Sequence, residues 1–262
     1  MLLTITLGIF IGLLMGITGA GGGILAVPLL VFLLHLTVAE ATPIGLLAVA
    51  TAAGIGAIAG VHGGLVRYRA ALLMAFAGVI FSPLGIWLAH RVANQYLLVL
   101  FSVILLYVAY DTIRHQTKTA NESQSTPTCS LNSQTGRFVW NSRCSVSILL
   151  SGTIAGFLSG LVGVGGGFVI VPALQKLSSL SMQSVVATSL AVIALVSTTV
   201  VAGNLALGNL NWMIAAPFSL GAIFGMVLGR TIAGKLNARY VGFSFATLAT
   251  VVALMLLVKV FS

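Results

Sequence analysis

Two stretches of this chain combine residue types that could hold a ligand. Gly19–Pro28 and Gly163–Pro172 each read G-x-G-G-G-x-x-x-V-P. Glycine lets the backbone leave helical geometry and turn its N–H groups outward. A proline in an early turn of the following helix falls where a missing N–H costs least. A helix that starts at such a break presents unpaired N–H groups and a partial positive charge, which suits an anion without a buried Lys or Arg. The candidate binding residues are therefore Gly19, Gly21, Gly22, Gly23 and Pro28 in the first element, and Gly163, Gly165, Gly166, Gly167 and Pro172 in the second. The competing reading is close helix packing through small residues. Packing alone does not require three adjacent glycines and a proline in both elements. A phosphate loop is a poorer fit, because no Lys-Ser/Thr follows the glycines and no strand precedes them.

Hydroxyl groups come second. Thr42 before Pro43, and Thr188 before Ser189, open the apolar run that follows each glycine element. They are expected either to donate to an anion's oxygens or to cap a helix N-terminus. Ser197, Thr198, Thr199 and Asn204 lie in one apolar run of the second half, where lining a path competes with bonding back to the helix. Glu40 and Asp111 are the only acids outside a polar central stretch, and Glu40 reads as a helix cap. His35, His62, His90 and His115 fall near segment ends and read as interfacial groups. Arg230 has Ile86 as its repeat counterpart, and that asymmetry makes it the candidate path cation, against a simple snorkelling role. There is no pair of intramembrane Asp, no HExxH and no GxSxG, so neither an enzyme nor a bound metal or cofactor is expected. Cys129 and Cys144 are too few for a framework and form no CxxC, which argues against metal or redox use.

These groups must be positioned by an unusually apolar chain. Of 262 residues, 59% are hydrophobic and 6% charged, where a soluble domain carries about 25% charged residues. The 12 Lys and Arg and 3 Asp and Glu cannot cover a soluble surface. A soluble globule, a disordered chain and a disulfide scaffold are excluded, and a polytopic protein of the lipid bilayer remains. The net charge of +9 comes from residues scattered at loop ends. It reads as a membrane orientation signal, with no nucleic-acid partner. Met1–Thr6 has no positive n-region, so a cleaved signal peptide is not expected.

Apolar runs fall near 2–18, 24–37, 43–61, 70–90 and 95–113, and again near 145–162, 168–180, 184–207, 212–233 and 239–261. Between them, Arg114–Arg143 is rich in Ser, Thr, Asn and Gln and reads as a surface loop or disordered linker. The pattern is a duplication. GITGAGGGILAVPLL at 16–30 and GLVGVGGGFVIVPAL at 160–174 agree at eight of fifteen positions, 144 residues apart. The same offset pairs Gly8 with Gly152, Gly12 with Gly156, Gly64 with Gly208, Gly85 with Gly229 and Phe101 with Phe245. Thr42 matches Thr188 after a local shift of two. The chain divides into a first transmembrane repeat (1–115), a polar linker (116–143) and a second repeat (144–262). Such repeats typify secondary transporters.

The fold expected is an all-α polytopic membrane protein of two homologous halves. Each half has a glycine-broken pair of half-helices and then three transmembrane helices. Runs 2–18 and 24–37 are each short of the roughly 20 residues a crossing takes, so they read as a hairpin that enters and leaves on one side. An odd number of crossings per half inverts the second half. Inversion puts Arg67, Arg69, Arg114, Lys118, Arg137, Arg143, Lys176, Arg230, Lys235 and Arg239 on one side, and Arg91 and Lys259 on the other. Parallel repeats would split them seven to five. The positive-inside rule prefers the first arrangement, with a cytoplasmic linker and both termini outside.

The doubled GxGGGxxxVP element, halves of about 110 residues and the polar linker resemble the sulfite exporter TauE/SafE family. The resemblance covers nearly the whole chain outside roughly 116–142. It implies transport of a small sulfur-containing anion, sulfite, thiosulfate or an organosulfonate such as sulfoacetate, outward across the bacterial inner (plasma) membrane. The two breaks would meet near the midplane around one oxyanion. The alternatives are a carrier or channel for another small organic anion such as a carboxylate, and a non-transporting scaffold whose glycines only pack helices. The sequence is equally compatible with a monomer and a homodimer.

Overall fold

A computed structural model of the chain describes residues 2–19, 21–89, 91–117, 129, 141–163, 165–178, 180–206, 210–233 and 238–261. Ten helices are described: α1 (Leu2–Thr18), α2 (Gly21–Leu33), α3 (Val38–His62), α4 (Tyr68–Ala89), α5 (Asn94–Thr117), α6 (Ser142–Val162), α7 (Gly167–Leu177), α8 (Met182–Ala206), α9 (Trp212–Ala233) and α10 (Ala238–Phe261). Most of the linker, with Lys118 and Arg137, lies outside the described residues, as do His90 and Lys235.

Six of these helices, α3, α4, α5, α6, α8 and α9, are long and apolar enough to cross a membrane. Large apolar side chains such as Leu72, Phe76, Trp87, Leu220 and Phe224 are exposed on them. On a soluble protein that would be an anomalous surface. Against lipid tails it is the expected one, since the backbone is satisfied within each helix. The chain is a multi-pass membrane protein.

In the last three helices of each half the duplication survives in three dimensions to the residue. Both ends of α3 and α8 differ by 144, and so do both ends of α4 and α9 and of α5 and α10. Neighbours pair across the halves. α1 lies along α9, α6 along α4, α5 against α10, and α3 against α8. Glycines make the first two contacts close. A Cβ on Gly16 would lie 2.7 Å from the Met226 carbonyl oxygen, and one on Gly152 would lie 2.5 Å from that of Met74. Gly8, Gly12 and Gly16 meet Gly221 and Gly229 of α9 or the residues around them, in parallel order. Gly152, Gly156 and Gly160 do the same with Met74, Gly78 and Ser82 of α4. These small-xxx-small faces replace the hydrophobic drive that lipid cannot supply between helices.

At the centre, α3 and α8 run antiparallel. Gly60 faces Ala187, Gly56 faces Leu190, and Leu46 packs with Val200 and Val201. Most of α2 between Gly22 and Val31 is buried beside them.

Several expectations need correction. The pairs α1/α2 and α6/α7 do fold back as hairpins. A Cβ on Gly22 would stand 2.6 Å from the Met15 nitrogen, and one on Gly166 would stand 2.6 Å from the Ala155 carbonyl oxygen. The first pair is two short helices of 17 and 13 residues, as expected, but the second is not a pair of half-helices. α6 has 21 residues and is itself a candidate span, while α7 has 11. The proline positions also differ. Pro28 is the eighth residue of α2 and Pro172 the sixth of α7. Each removes the hydrogen bond to the carbonyl four residues back, Ile24 or Phe168. Thr42 and Thr188 are not caps. Thr37 caps α3 in a reciprocal box with Glu40, the role expected of that acid. α8 starts at Met182, six residues before Thr188. The two-residue shift is absent as well. Gly163 contacts Thr42, and its counterpart Gly19 contacts Val186, so Val186 is the structural mate of Thr42. Finally, Cys129 and Cys144 are joined by a disulfide. The Cys129 amide donates to the Leu177 carbonyl at 2.8 Å, which ties the linker to the end of α7.

Candidate functional site

The two glycine elements fold differently. In the first, Gly19 alone among the described residues takes a left-handed backbone (φ 82°), and Gly21, Gly22 and Gly23 are already helical in α2. In the second, Gly163, Gly165 and Gly166 all have positive φ (75°, 76° and 69°) before α7 begins at Gly167. This is a conformation that residues with a Cβ rarely adopt, which is why three glycines are needed. Gly166 is the N-cap of α7 and brings no side chain to the helix's first amides. The start of α7 therefore keeps the donor character and partial positive charge of an uncapped N-terminus.

Side chains furnish this second turn. A Cβ on Gly163 would sit 2.6 Å from Thr42 Oγ1. One on Gly165 would sit 3.0 Å from Ser197 Oγ, 3.0 Å from Val49 Cγ1 and 3.2 Å from Ile193 Cγ2. Val49 and Ile193 are repeat mates, so this turn touches both halves at matching positions. Ser197 is fully buried and its hydroxyl has no hydrogen-bond partner among the described residues. A buried hydroxyl left unpaired costs about 1–3 kcal/mol, and this one is free to donate to an oxygen acceptor. Ser159, one helical turn before Gly163 on α6, is a second fully buried hydroxyl without a partner. Ser219 on α9 is the third.

Four other polar side chains of α8 are spent on their own helix. Ser189 donates to the Val186 carbonyl, Thr198 to Ala194, Thr199 to Leu195, and the Asn204 amide to Val200. Ser189 is thus turned away from the role expected of it. Thr188 is not brought to Thr42. With Gly60 opposite Ala187, the two threonines lie about 25 Å apart along α3. Thr188 Oγ1 instead accepts the backbone N–H of Arg67 at 3.1 Å, at the α3–α4 turn. Arg230 reaches inward and donates from Nη1 to the Gly56 carbonyl of α3. Gly22 and Pro28 are buried in α2, and Gly22 packs on α1 as the helix-packing reading required. No group of three or more His, Cys, Asp or Glu able to hold a metal occurs among the described residues. An outward apolar groove lined by Phe32, Val251, Leu254, Met255 and Val258 offers an anion nothing.

Sequence reasoning undervalued Ser197 and missed Arg67. The signal for Ser197 was its counterpart at the 144 offset, Ala53. A hydroxyl present in one copy only breaks the duplication where the halves meet. Arg67 had a similar signal, Asn211 standing in its place.

A helical membrane body of paired halves, with a glycine-built helix start and unpaired hydroxyls in its interior, is that of a membrane transporter. The match to known proteins agrees. The model of the family described as sulfite exporter TauE/SafE matches residues 4–256, and the chain belongs to that family. It is similar to a probable membrane transporter protein of Xylella fastidiosa (strain Temecula1 / ATCC 700964), 32% identical over 244 residues, covering 91% of this chain and 87% of the relative. It is also similar to the probable membrane transporter protein YunE of Bacillus subtilis (strain 168), 27% identical over 244 residues, with 90% and 89% covered. YjnA of the same strain, another probable membrane transporter protein, is 26% identical over 262 residues, with 97% and 98% covered. No solved structure matches the chain.

Proposed function

We propose that this protein exports a small sulfur-containing oxyanion, sulfite or an organosulfonate such as sulfoacetate, across the bacterial inner membrane without changing it chemically. The observation that carries the reading is the fully buried, unpartnered Ser197 hydroxyl beside Gly165, at the uncapped start of α7. Backbone N–H groups of the Gly163–Gly167 turn, the α7 dipole and the Ser197 and Thr42 hydroxyls together supply donors for oxyanion oxygens. A compact sulfur oxyanion has three such oxygens and little apolar bulk, which fits a site bounded by Val49 and Ile193.

The two halves are inverted repeats in this reading. The antiparallel run of α3 against its mate α8 supports it, because an axis in the membrane plane reverses each helix against its copy. Rocking of one half against the other would then open the turn to each side alternately. The linker side is cytoplasmic, since ten of the twelve Lys and Arg fall there. The Cys129–Cys144 disulfide argues the other way, because such bonds persist in oxidising compartments. Ten cations outweigh one thiol pair, and the pair is reduced in cells in this orientation. An inside-negative potential is worth about 2.3 kcal/mol per charge per 100 mV and drives a monoanion outward more than tenfold. Export needs no coupled ion, in keeping with acids as sparse as Glu40 and Asp111 outside the linker.

The test is flux of labelled sulfite and sulfoacetate in proteoliposomes, with the potential set by a potassium gradient. Saturable, potential-driven movement is expected. Flux indifferent to the potential removes the export mechanism, and movement of carboxylates alone reassigns the substrate.

A further inference from the structure

The first glycine turn lacks the hydroxyls of the second, but two arginines have their anchoring contacts on the same part of the molecule. Gly19 rests on Val186, Gly60 on Ala187, the Arg67 amide on Thr188, and Gly56 on Leu190. Those four α8 positions span little more than one helical turn. Arg230 reaches this patch from α9 through the Gly56 carbonyl, and its own backbone N lies against Gly16 of α1. Arg67 is only partly exposed, and its Nε is buried with no hydrogen-bond partner. The contacts of the described residues give neither guanidinium a carboxylate. Glu40 is bonded to Thr37 at the opposite end of α3. Thr188 is fully buried and its oxygen accepts from Arg67, so its hydroxyl proton is available to donate.

Two half-buried cations without a counter-ion are costly in a membrane protein and are a functional signal there. Neither has a copy at the 144 offset, where Asn211 and Ile86 stand. The patch is therefore a feature of one end of the molecule.

We propose that Arg67, Thr188 and Arg230 form a second oxyanion station on the linker side, beside the first glycine turn, which takes up the anion before it moves to the Ser197 turn. The proposal rests on the transport reading above. An Arg fork presents paired donors to a planar or pyramidal oxyanion, whereas the Ser197 turn uses neutral donors that release an anion more readily.

The experiment is equilibrium binding of labelled sulfite to the purified full-length protein. The wild type is expected to bind two ions per chain. Arg67→Gln with Arg230→Gln should keep one, and Ser197→Ala should weaken the other about tenfold or more. In oriented proteoliposomes, Arg67→Gln should raise the half-saturating sulfite concentration on the linker side about tenfold. One ion per chain in the wild type, or two in the double variant, overturns the station while leaving the Ser197 site in place. No sulfite bound by the wild type, in protein that remains monodisperse, overturns the substrate assignment itself.

Discussion

The glycine turn at Gly163–Gly167 and its copy at Gly19–Gly23 started from one sequence and now present different surroundings. The second has three left-handed glycines, Thr42 and Ser197 around it, and an uncapped helix behind it. The first has one left-handed glycine and the Val186 side chain across it, with the Arg67 amide bonded to Thr188 and the Arg230 side chain to the Gly56 carbonyl nearby on α8 and α3. Duplication supplies the hairpins, and divergence at a few positions decides what each turn can bind. The difference teaches that the G-x-GGG spacing is a scaffold. The chemistry is set by the residues that α3 and α8 place against it.

The sharpest way to break that contrast is Gly165→Val. A branched side chain at φ 76° would meet Ser197, Val49 and Ile193 at once, so sulfite flux should fall to background while membrane insertion, read by fractionation, persists. Gly64→Ala is the matched control. It has φ 66° but open space around it, so it should lose only the roughly 1–2 kcal/mol of a left-handed residue with a Cβ and keep normal flux. Equal loss in both variants would show that strain, and not the binding turn, controls transport.

Ser197→Ala comes next and has a two-sided signature. Removing an unpaired buried hydroxyl should make the empty protein more stable by about 1 kcal/mol, seen as a higher Tm, while sulfite affinity falls about tenfold. A stabilised variant with unchanged affinity would reduce Ser197 to a packing residue. The reciprocal Ala53→Ser should not create a second neutral site, because the first turn has only one left-handed glycine to aim its amides.

The two ends also differ in their charge, which fixes orientation. A thiol introduced into the linker, Ser123→Cys in a Cys129→Ser/Cys144→Ser background, should resist a membrane-impermeant maleimide in intact cells and react with a permeant one. Labelling by the impermeant reagent would place the cation-rich end outside and reverse the transport direction argued from it. The smallest effect is expected at the other end of α3. Thr37→Ala removes the capping box with Glu40 and should lower stability by about 1 kcal/mol with flux retained, measured by thermal unfolding in detergent.

Much of this was legible before any fold was known. Apolar runs long enough for a bilayer, the 144-residue offset and the doubled glycine element follow from local composition, and the helices begin and end close to those runs. Glu40 as a cap was also readable, since a capping box is confined to four adjacent residues. What the sequence could not say is which side chains meet. Thr42 and Thr188 look like repeat mates on paper, yet antiparallel packing of α3 on α8 sends them to opposite ends. Ser197, Thr198 and Thr199 are adjacent hydroxyls of one kind. Only the facing of α8 separates the one aimed at Gly165 from the two bonded to their own helix. Cys129 and Cys144 lie 15 residues apart across a polar stretch, and their pairing depends on where the linker returns. Periodicity and composition act over a few residues and are written in the chain. Partnership across helices depends on packing direction and register, and those were decided by the tertiary structure.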